Sequence, residues 1–307
     1  MTPVKFRSLR RPATAVAAFL LLLVLVLPAA AKEQRAFGQG RLFEVTAKGE
    51  PPSYVFGTMH ATNPEVLALP TPVTRAFSTS LRVVLEMVFT PEIEARLGEA
   101  MLLRDGRTLA AVVGPEIYAK LMKRAAVYGF QPQVINRFKP WAANLLFSVP
   151  VTEMNRNASG TLALDRSLQQ AADARGVPVY GLESLKEQVT AFSEMSERDQ
   201  IDGLSLTLDL NPEIDAIFAD MKKAYLAGDL DRLHAMSMSM YSAQETHLAQ
   251  QFEKQFITMR NKRMVERMER HLKQGGAFVG VGALHLSGEE GILRLLQKRG
   301  FTVKRAY

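Results

Sequence analysis

The chain has 307 residues, 47% of them hydrophobic and 22% charged. These are globular proportions, with length enough to bury a core, and they exclude a disordered chain. It has no cysteine, which excludes disulfides, thiolate zinc sites and a lipidated N-terminal cysteine; any metal must be held by His, Asp or Glu.

Lys5, Arg7, Arg10 and Arg11 form a basic head, Ala13 to Leu27 is apolar and uncharged, and Pro28-Ala29-Ala30-Ala31 supplies small residues. This pattern predicts a signal peptide over residues 1–31, cleaved after Ala31, leaving residues 32–307 as the mature protein, periplasmic or secreted. The alternative is an uncleaved anchor, for which the run is short; contact with a membrane is expected only in that case. Arg10-Arg11 followed by Pro12-Ala13-Thr14 matches a twin-arginine signal poorly. Removing the leader's four basic residues lowers the formal net charge from +7 to +3, so the basic balance gives no case for nucleic acid.

Arg41 to Thr46 and Ser53 to Phe56 read as strands joined by a turn through Lys48-Gly49-Glu50-Pro51-Pro52. Asn63-Pro64-Glu65 has the cap, first-position proline and acid of a helix start. Arg82-Val83-Val84-Leu85 is a third strand, ending at Glu86, and Thr90-Pro91-Glu92 opens a helix. From there the pattern is mainly helical, with a polar loop at Asn155 to Gly160 and a helix from Leu164 to Arg175 that Gly176 stops. Val177 to Tyr180 is a short strand leading to Glu183, and a long helical stretch runs from Ser184 to Lys273, punctuated at Gly203, Asn211-Pro212 and Gly228. Ala277 to Val281 is strand, Gly288 to Arg299 helix with Ser287 as its cap, and Phe301 to Lys304 strand. The fold class is therefore α/β, α+β in the mixed sense: a central mixed sheet built from both chain ends, flanked by helices, with a mainly helical insert over roughly 91–273.

Among five histidines, two share one setting. Gly57-Thr58-Met59-His60 and Gly282-Ala283-Leu284-His285 each follow a strand, and Glu86 leaves a third strand in the same way. A glycine at that point lets the backbone turn sharply without a Cβ clash, and ligand crevices of open α/β sheets lie at the C-terminal ends of strands. Two imidazoles and a carboxylate suit Mn²⁺, Co²⁺, Zn²⁺ or Fe²⁺, with Mn²⁺ or Co²⁺ preferred, and hydrolytic chemistry follows from such an ion. Plainer readings stand beside this one. His60 can cap the helix near Asn63, Ser287 can hold His285, and Arg82 or Arg137 can pair with a buried Glu86. His234, His247 and His271 read as surface positions, the charges from Lys254 to Arg270 as a solvated helix face, and Trp141 and the methionines at 236, 238 and 240 as packing. There is no Gly-x-Ser-x-Gly, phosphate loop or dinucleotide fingerprint.

From Leu42 to Val303 the chain resembles the TraB/PrgY/GumN family, which includes the Tiki proteins. The likeness is carried by Tyr54 to His60, Val84-Leu85-Glu86, Asp165 and Ala171, Val179-Tyr180-Gly181-Leu182-Glu183 with Gln188, Arg260-Asn261, and Val279 to Gly288. The resemblance implies a mixed sheet flanked by helices and, by analogy with Tiki, a metal-dependent peptidase centred on His60, Glu86 and His285. Arg260 and Asn261 match the family's Arg-Asn pair, with a supporting role in binding substrate or an oxyanion; their plainer reading is a salt bridge and a cap. The substrate is then a peptide or a small molecule. Rival readings are a non-catalytic protein that sequesters a peptide signal, as PrgY-like members do, and a metal-free hydrolase akin to erythromycin esterases, with His60 or Glu86 as general base.

Overall fold

A computed structural model describes residues 35–210, 213–241 and 246–307; the expected leader lies outside the described residues. Its strands are β1 (Leu42–Thr46), β2 (Ser53–Thr58), β3 (Arg82–Leu85), β4 (Val179–Gly181), β5 (Ala277–Gly282) and β6 (Thr302–Arg305), joined in one mixed sheet in the order β4-β3-β5-β2-β1-β6. The hairpin from β1 to β2 turns at Gly49, whose φ of 85° suits a residue without a side chain. β2, β5, β3 and β4 are mutually parallel, whereas β1 pairs antiparallel with both of its neighbours. The central β5, Ala-Phe-Val-Gly-Val-Gly, is buried along nearly its whole length, as the apolar run of a strand covered on both faces should be.

The main core lies between this sheet and the helices Thr71–Ser78, Leu164–Ala174, Met259–Lys273 and Ile292–Lys298. Phe278 of β5 sits 5.9 Å from the Phe56 ring and 5.2 Å from that of Phe77, and burying each such ring is worth roughly 2–3 kcal/mol. The helical insert has a separate apolar core of its own, around Leu109, Leu121, Ile135, Phe147 and Leu204. No described helix is long and apolar enough to cross a membrane.

Several expectations are corrected. Asn155 to Ala158 belong to the helix Val151–Ala158 and are not a loop. The buried Glu153 holds that helix down by accepting from the backbone N–H and the hydroxyl of Thr62, and Arg156 pairs with it one turn later. Gly203 sits inside the helix Glu197–Asp209 and interrupts nothing. The last helix starts at Ile292 with Gly291 as its cap; Ser287 is instead tied through its carbonyl to Arg35, and Ala283–His285 form a 3₁₀ turn. The segment Lys254 to Arg270 is a solvated face only in part: it runs from a π-helical stretch, Phe252–Thr258, into Met259–Lys273, with Lys254, Lys262, Glu266, Arg267 and Arg270 exposed, while Arg260 and Arg263 turn inward onto Glu183. Trp141 is buried and stacks on Phe192 at 5.2 Å, while Met236, Met238 and Met240 are only half-buried.

His271 is the histidine placed wrongly, because it is buried, not at the surface. Its ring lies 4.6 Å from that of Tyr180, and Nε2 accepts a hydrogen bond from Arg270. Burial, then the charges of Arg270 and Arg82, push it down to about 4. A depressed histidine stays neutral in the folded state while the unfolded chain takes up the proton, so its contribution is complete above pH 6.5 and is lost as pH falls toward 4. His271→Phe should flatten the decline of Tm over that interval in a pH series of thermal melts; an unchanged slope would show that His271 is not its source.

Candidate active site

β2 and β5 are adjacent, with Gly57 beside Val281 and Thr58 beside Gly282, so the two histidine motifs, 225 positions apart in sequence, leave neighbouring strands at the same level. β3 lies on the other side of β5, with Leu85 beside Gly280, and β4 lies beyond it. Four parallel strands in a row therefore end at one edge of the sheet. They deliver His60, His285, Glu86 and Glu183, in that spatial order.

The motif glycines serve one half of the purpose the sequence suggests, the avoidance of a Cβ clash. Gly57 lies within β2 and Gly282 has a φ of −53°, so neither needs a left-handed backbone. What they provide is space. A Cβ on Gly57 would meet Leu286 Cδ1 at 2.8 Å and Ala283 Cα at 3.2 Å. One on Gly282 would lie 3.2 Å from Glu86 Oε1 and 3.3 Å from His285 Cδ2.

Each imidazole is held by its Nδ1. Asn261, fully buried, donates its amide to the carbonyl of Glu290 at 2.8 Å and turns its Oδ1 to His285 Nδ1 at 2.7 Å. An amide oxygen only accepts, so Nδ1 carries the hydrogen and Nε2 keeps the lone pair. His60 Nδ1 lies 2.6 Å from Asp165 Oδ2, and the other oxygen of Asp165 accepts from the Thr58 hydroxyl at 2.6 Å. The His60 side chain is 63% exposed, whereas Asp165 is buried.

Glu86 is buried and fully engaged. Its Oε1 accepts the Gly282 N–H at 2.7 Å and stands 3.7 Å from His285 Nε2, and its Oε2 accepts from Arg260 Nη2 at 2.6 Å. Arg260 also donates to Glu183 Oε2, from Nη2 at 2.7 Å and from Nε at 2.9 Å, and Arg263 reaches Glu183 Oε1 at 3.1 Å. Burial opposes the charge on Glu86, but His285, Arg260, His60 and the Gly282 N–H outweigh it and hold the carboxyl at about 2. The Asp165 carboxylate pushes His60 up to about 9, and burial pushes His285 down to about 4. Arg260 accounts for the anionic Glu86 even with His285 neutral, and that is the state these contacts favour at neutral pH.

The structure thus brings His60, Glu86, His285, Arg260 and Asn261 to one place. The first three and Arg260 line a cavity of about 250 Å³ whose other walls include Met221, Phe252, Phe256 and Ile257; Asn261 sits behind His285. The plainer readings divide. Asn63 caps its own helix, and Arg82 is spent on the carbonyls of His271 and Gly275; yet Glu86 does pair with an arginine, Arg260 in place of Arg82 or Arg137, and Arg260 makes the salt bridge its plainer reading expects. Asp165, Glu183 and Thr58 carry contacts in the site for which the sequence reading gave no role. Glu183 had a usable signal, since it follows a strand as Glu86 does; Asp165 opens a helix, and its one signal was its place among the residues that carry the family resemblance.

A mixed sheet whose parallel strands bring two histidines and a carboxylate to one crevice defines an α/β protein with a titratable site at a ligand-binding edge. The model of the TraB/PrgY/gumN family matches residues 42–305, and the chain belongs to that family. Metalloprotease TIKI2 of Danio rerio is 26% identical over 83% of this chain and 58% of its own length. Metalloprotease TIKI1 of Homo sapiens is 26% identical over 85% and 61% respectively. A metalloprotease TIKI homolog of Amphimedon queenslandica is 24% identical over 93% of this chain. The chain spans about three fifths of the length of the first two. No solved structure matches it.

The relatives' names make a divalent metal the group to test against these residues. Its donors are present in kind: both imidazoles have Nδ1 tied to an oxygen, the arrangement that presents Nε2 to a metal, and Glu86 Oε1 keeps a lone pair on the side of His285. Among the described residues, however, no three His, Asp or Glu side chains are grouped closely enough to hold an ion as they stand. The donor chemistry fits; the side chains would have to close up around the ion.

Proposed function

We propose that this chain is an exported hydrolase, most simply a divalent-metal-dependent peptidase, whose centre is His60, Glu86 and His285. The supporting observation is the delivery of all three by adjacent parallel strands to one cavity, with each imidazole oriented through Nδ1. Export rests on the leader pattern of residues 1–31 and places the mature protein, residues 32–307, in the periplasm or outside the cell. The substrate is a peptide or a small molecule carrying an amide or ester carbonyl.

His60, Glu86 and His285 would hold the ion, which when bound lowers the pKa of water and polarises a carbonyl. Asn261 keeps the proton of His285 on Nδ1, so the Nε2 lone pair is always the one presented. Asp165 orients His60 through Nδ1 but also favours its imidazolium form, so His60 would offer the Nε2 lone pair only after losing that proton. Arg260 holds Glu86 ionised and in place, and its mostly buried guanidinium borders the cavity, where it can pair with an oxygen of the substrate. The apolar wall of Phe252, Phe256 and Ile257 limits water around the reacting carbonyl.

A second reading, a metal-free hydrolase, is favoured by the engagement of Glu86 with Arg260 and by the absence of a ready-made donor group among the described residues. There His285 Nε2 takes the proton of the attacking water, with Glu86 Oε1 beside it. One experiment separates the two. The purified mature protein is assayed on a fluorogenic peptide library and on p-nitrophenyl esters, before and after exhaustive chelation, with Mn²⁺ or Co²⁺ restored. Loss and recovery are expected with the metal; activity untouched by chelation selects the metal-free reading. If His285→Ala keeps full activity on every substrate, neither stands.

A further inference from the structure

A second cavity, of about 390 Å³, lies beyond the site and shares Met221, Phe252 and Phe256 with it. Its walls are nearly all apolar, with Leu206 and Ile217 facing the same space from two helices of the insert. A ladder of rings runs along it: Trp141 on Phe192 at 5.2 Å, Phe192 on Phe256 at 4.6 Å, Phe256 on Phe252 at 5.8 Å. Its polar members are mostly committed to one another or to backbone. Thr207 donates to Asn144 Oδ1 at 2.6 Å, Ser148 to the Asn144 carbonyl, Gln200 to the Met195 carbonyl, and Asp199 accepts from Gln251. The exception is the Trp141 indole N–H, buried without a partner among the described residues.

Two physical points narrow the occupant. The walls are largely side chains of helices whose backbone groups bond within those helices. A peptide segment entering the chamber would leave its own N–H and C=O groups unpaired, at a cost of the order of 2–7 kcal/mol each. A single aromatic side chain avoids that cost but underfills the space, since a cavity of about 150 Å³ already takes benzene. The group that meets both conditions is a hydrocarbon chain longer than any amino-acid side chain.

We propose that this chamber is an acyl-chain subsite, so that the substrate carries a medium-length acyl group beside the bond presented to His60 and His285. The assignment to a substrate, as distinct from a bound lipid, rests on the hydrolase reading above. Met195, Met221 and Met240 line the chamber and give it walls that adapt to chain length.

The test uses the full mature chain. Displacement of the fluorescent probe 1-N-phenylnaphthylamine by octanoate, decanoate and dodecanoate, below their micellar concentrations, reports the chamber directly. Affinity should rise with length, by up to roughly fourfold per methylene. In parallel, kcat/KM is measured on p-nitrophenyl acetate through dodecanoate. Leu206→Trp and Ile217→Trp should each weaken dodecanoate binding about tenfold and remove the preference for long chains, while leaving acetate hydrolysis and Tm unchanged. Two variants on different helices guard against a misfolded one. Binding with this length dependence but no ester hydrolysis sustains the chamber and sinks its role as a substrate subsite. Hydrolysis indifferent to chain length, without displacement of the probe, overturns the chamber and leaves the hydrolase intact. Apolar peptides that displace the probe better than dodecanoate overturn it as well.

Discussion

Glu183→Leu should destabilise the protein by about 3 kcal/mol, the low end of the 3–5 kcal/mol expected when one member of a buried ion pair is removed. The Glu183 side chain is completely inaccessible and sits between the guanidiniums of Arg260 and Arg263, with side-chain exposures of 14% and 28%. Leucine fills a similar volume but supplies no acceptor, so Arg263 loses this partner and Arg260 is left with Glu86 alone at its buried end. The remaining Glu86 contact is why the lower figure applies. For a chain of this size the change corresponds to a Tm lower by about 6–12 °C, read by calorimetry or by circular dichroism. Glu187 is the natural control. It pairs with Arg267 and Arg263 at the edge of the same network but is 28% exposed, and exposed pairs are worth about 0–1 kcal/mol. If Glu183→Leu and Glu187→Leu melt together, the inner carboxylate does not anchor the arginines.

The strands were readable because their apolar runs are short and bounded by clear turn residues, and Gly-x-x-His twice after a strand pointed to the right edge of the sheet. What joined the two motifs was the parallel pairing of β2 with β5, a contact between residues more than two hundred positions apart that no local pattern encodes. The same limit explains His271. A histidine near the end of a charged helix reads as surface, and only the packing of Met259–Lys273 against the sheet brings it against Tyr180. It explains Arg260 too, since a run of alternating charges looks solvated until a buried acid is placed opposite. Local capping misled in the opposite direction. Ser287-Gly288-Glu289 has the composition of a helix start, but contacts from Arg35 and Ala36 hold that stretch in another conformation. The sequence shows that a Cβ is unwelcome at the two motif glycines, but which neighbours it would meet, Leu286 and Ala283 at one and the Glu86–His285 pair at the other, only the packing shows.

His60→Ala should lower activity far more than stability. The ring is largely exposed and its removal opens no core cavity, but it strips the buried Asp165 of a partner; a loss of about 1–3 kcal/mol in unfolding free energy is expected at neutral pH, while kcat/KM falls by about 10²–10⁴. Asp165→Asn is the companion. Asparagine keeps the size and still accepts from Thr58, but it removes the carboxylate that raises His60 to about 9. A raised histidine pKa stabilises the folded state fully below its ordinary value near 6.5, and that contribution is lost as pH climbs through 9. Asp165→Asn should therefore return the His60 titration, followed by imidazole NMR, toward 6.5. It should also remove the alkaline loss of stability and lower turnover by about 10²-fold, as loss of an orienting carboxylate behind an active histidine does. A His60 that titrates normally in the parent protein would show that Asp165 does not charge the imidazole, and an Asp165→Asn variant with undiminished turnover would show that it does not orient it for the reaction.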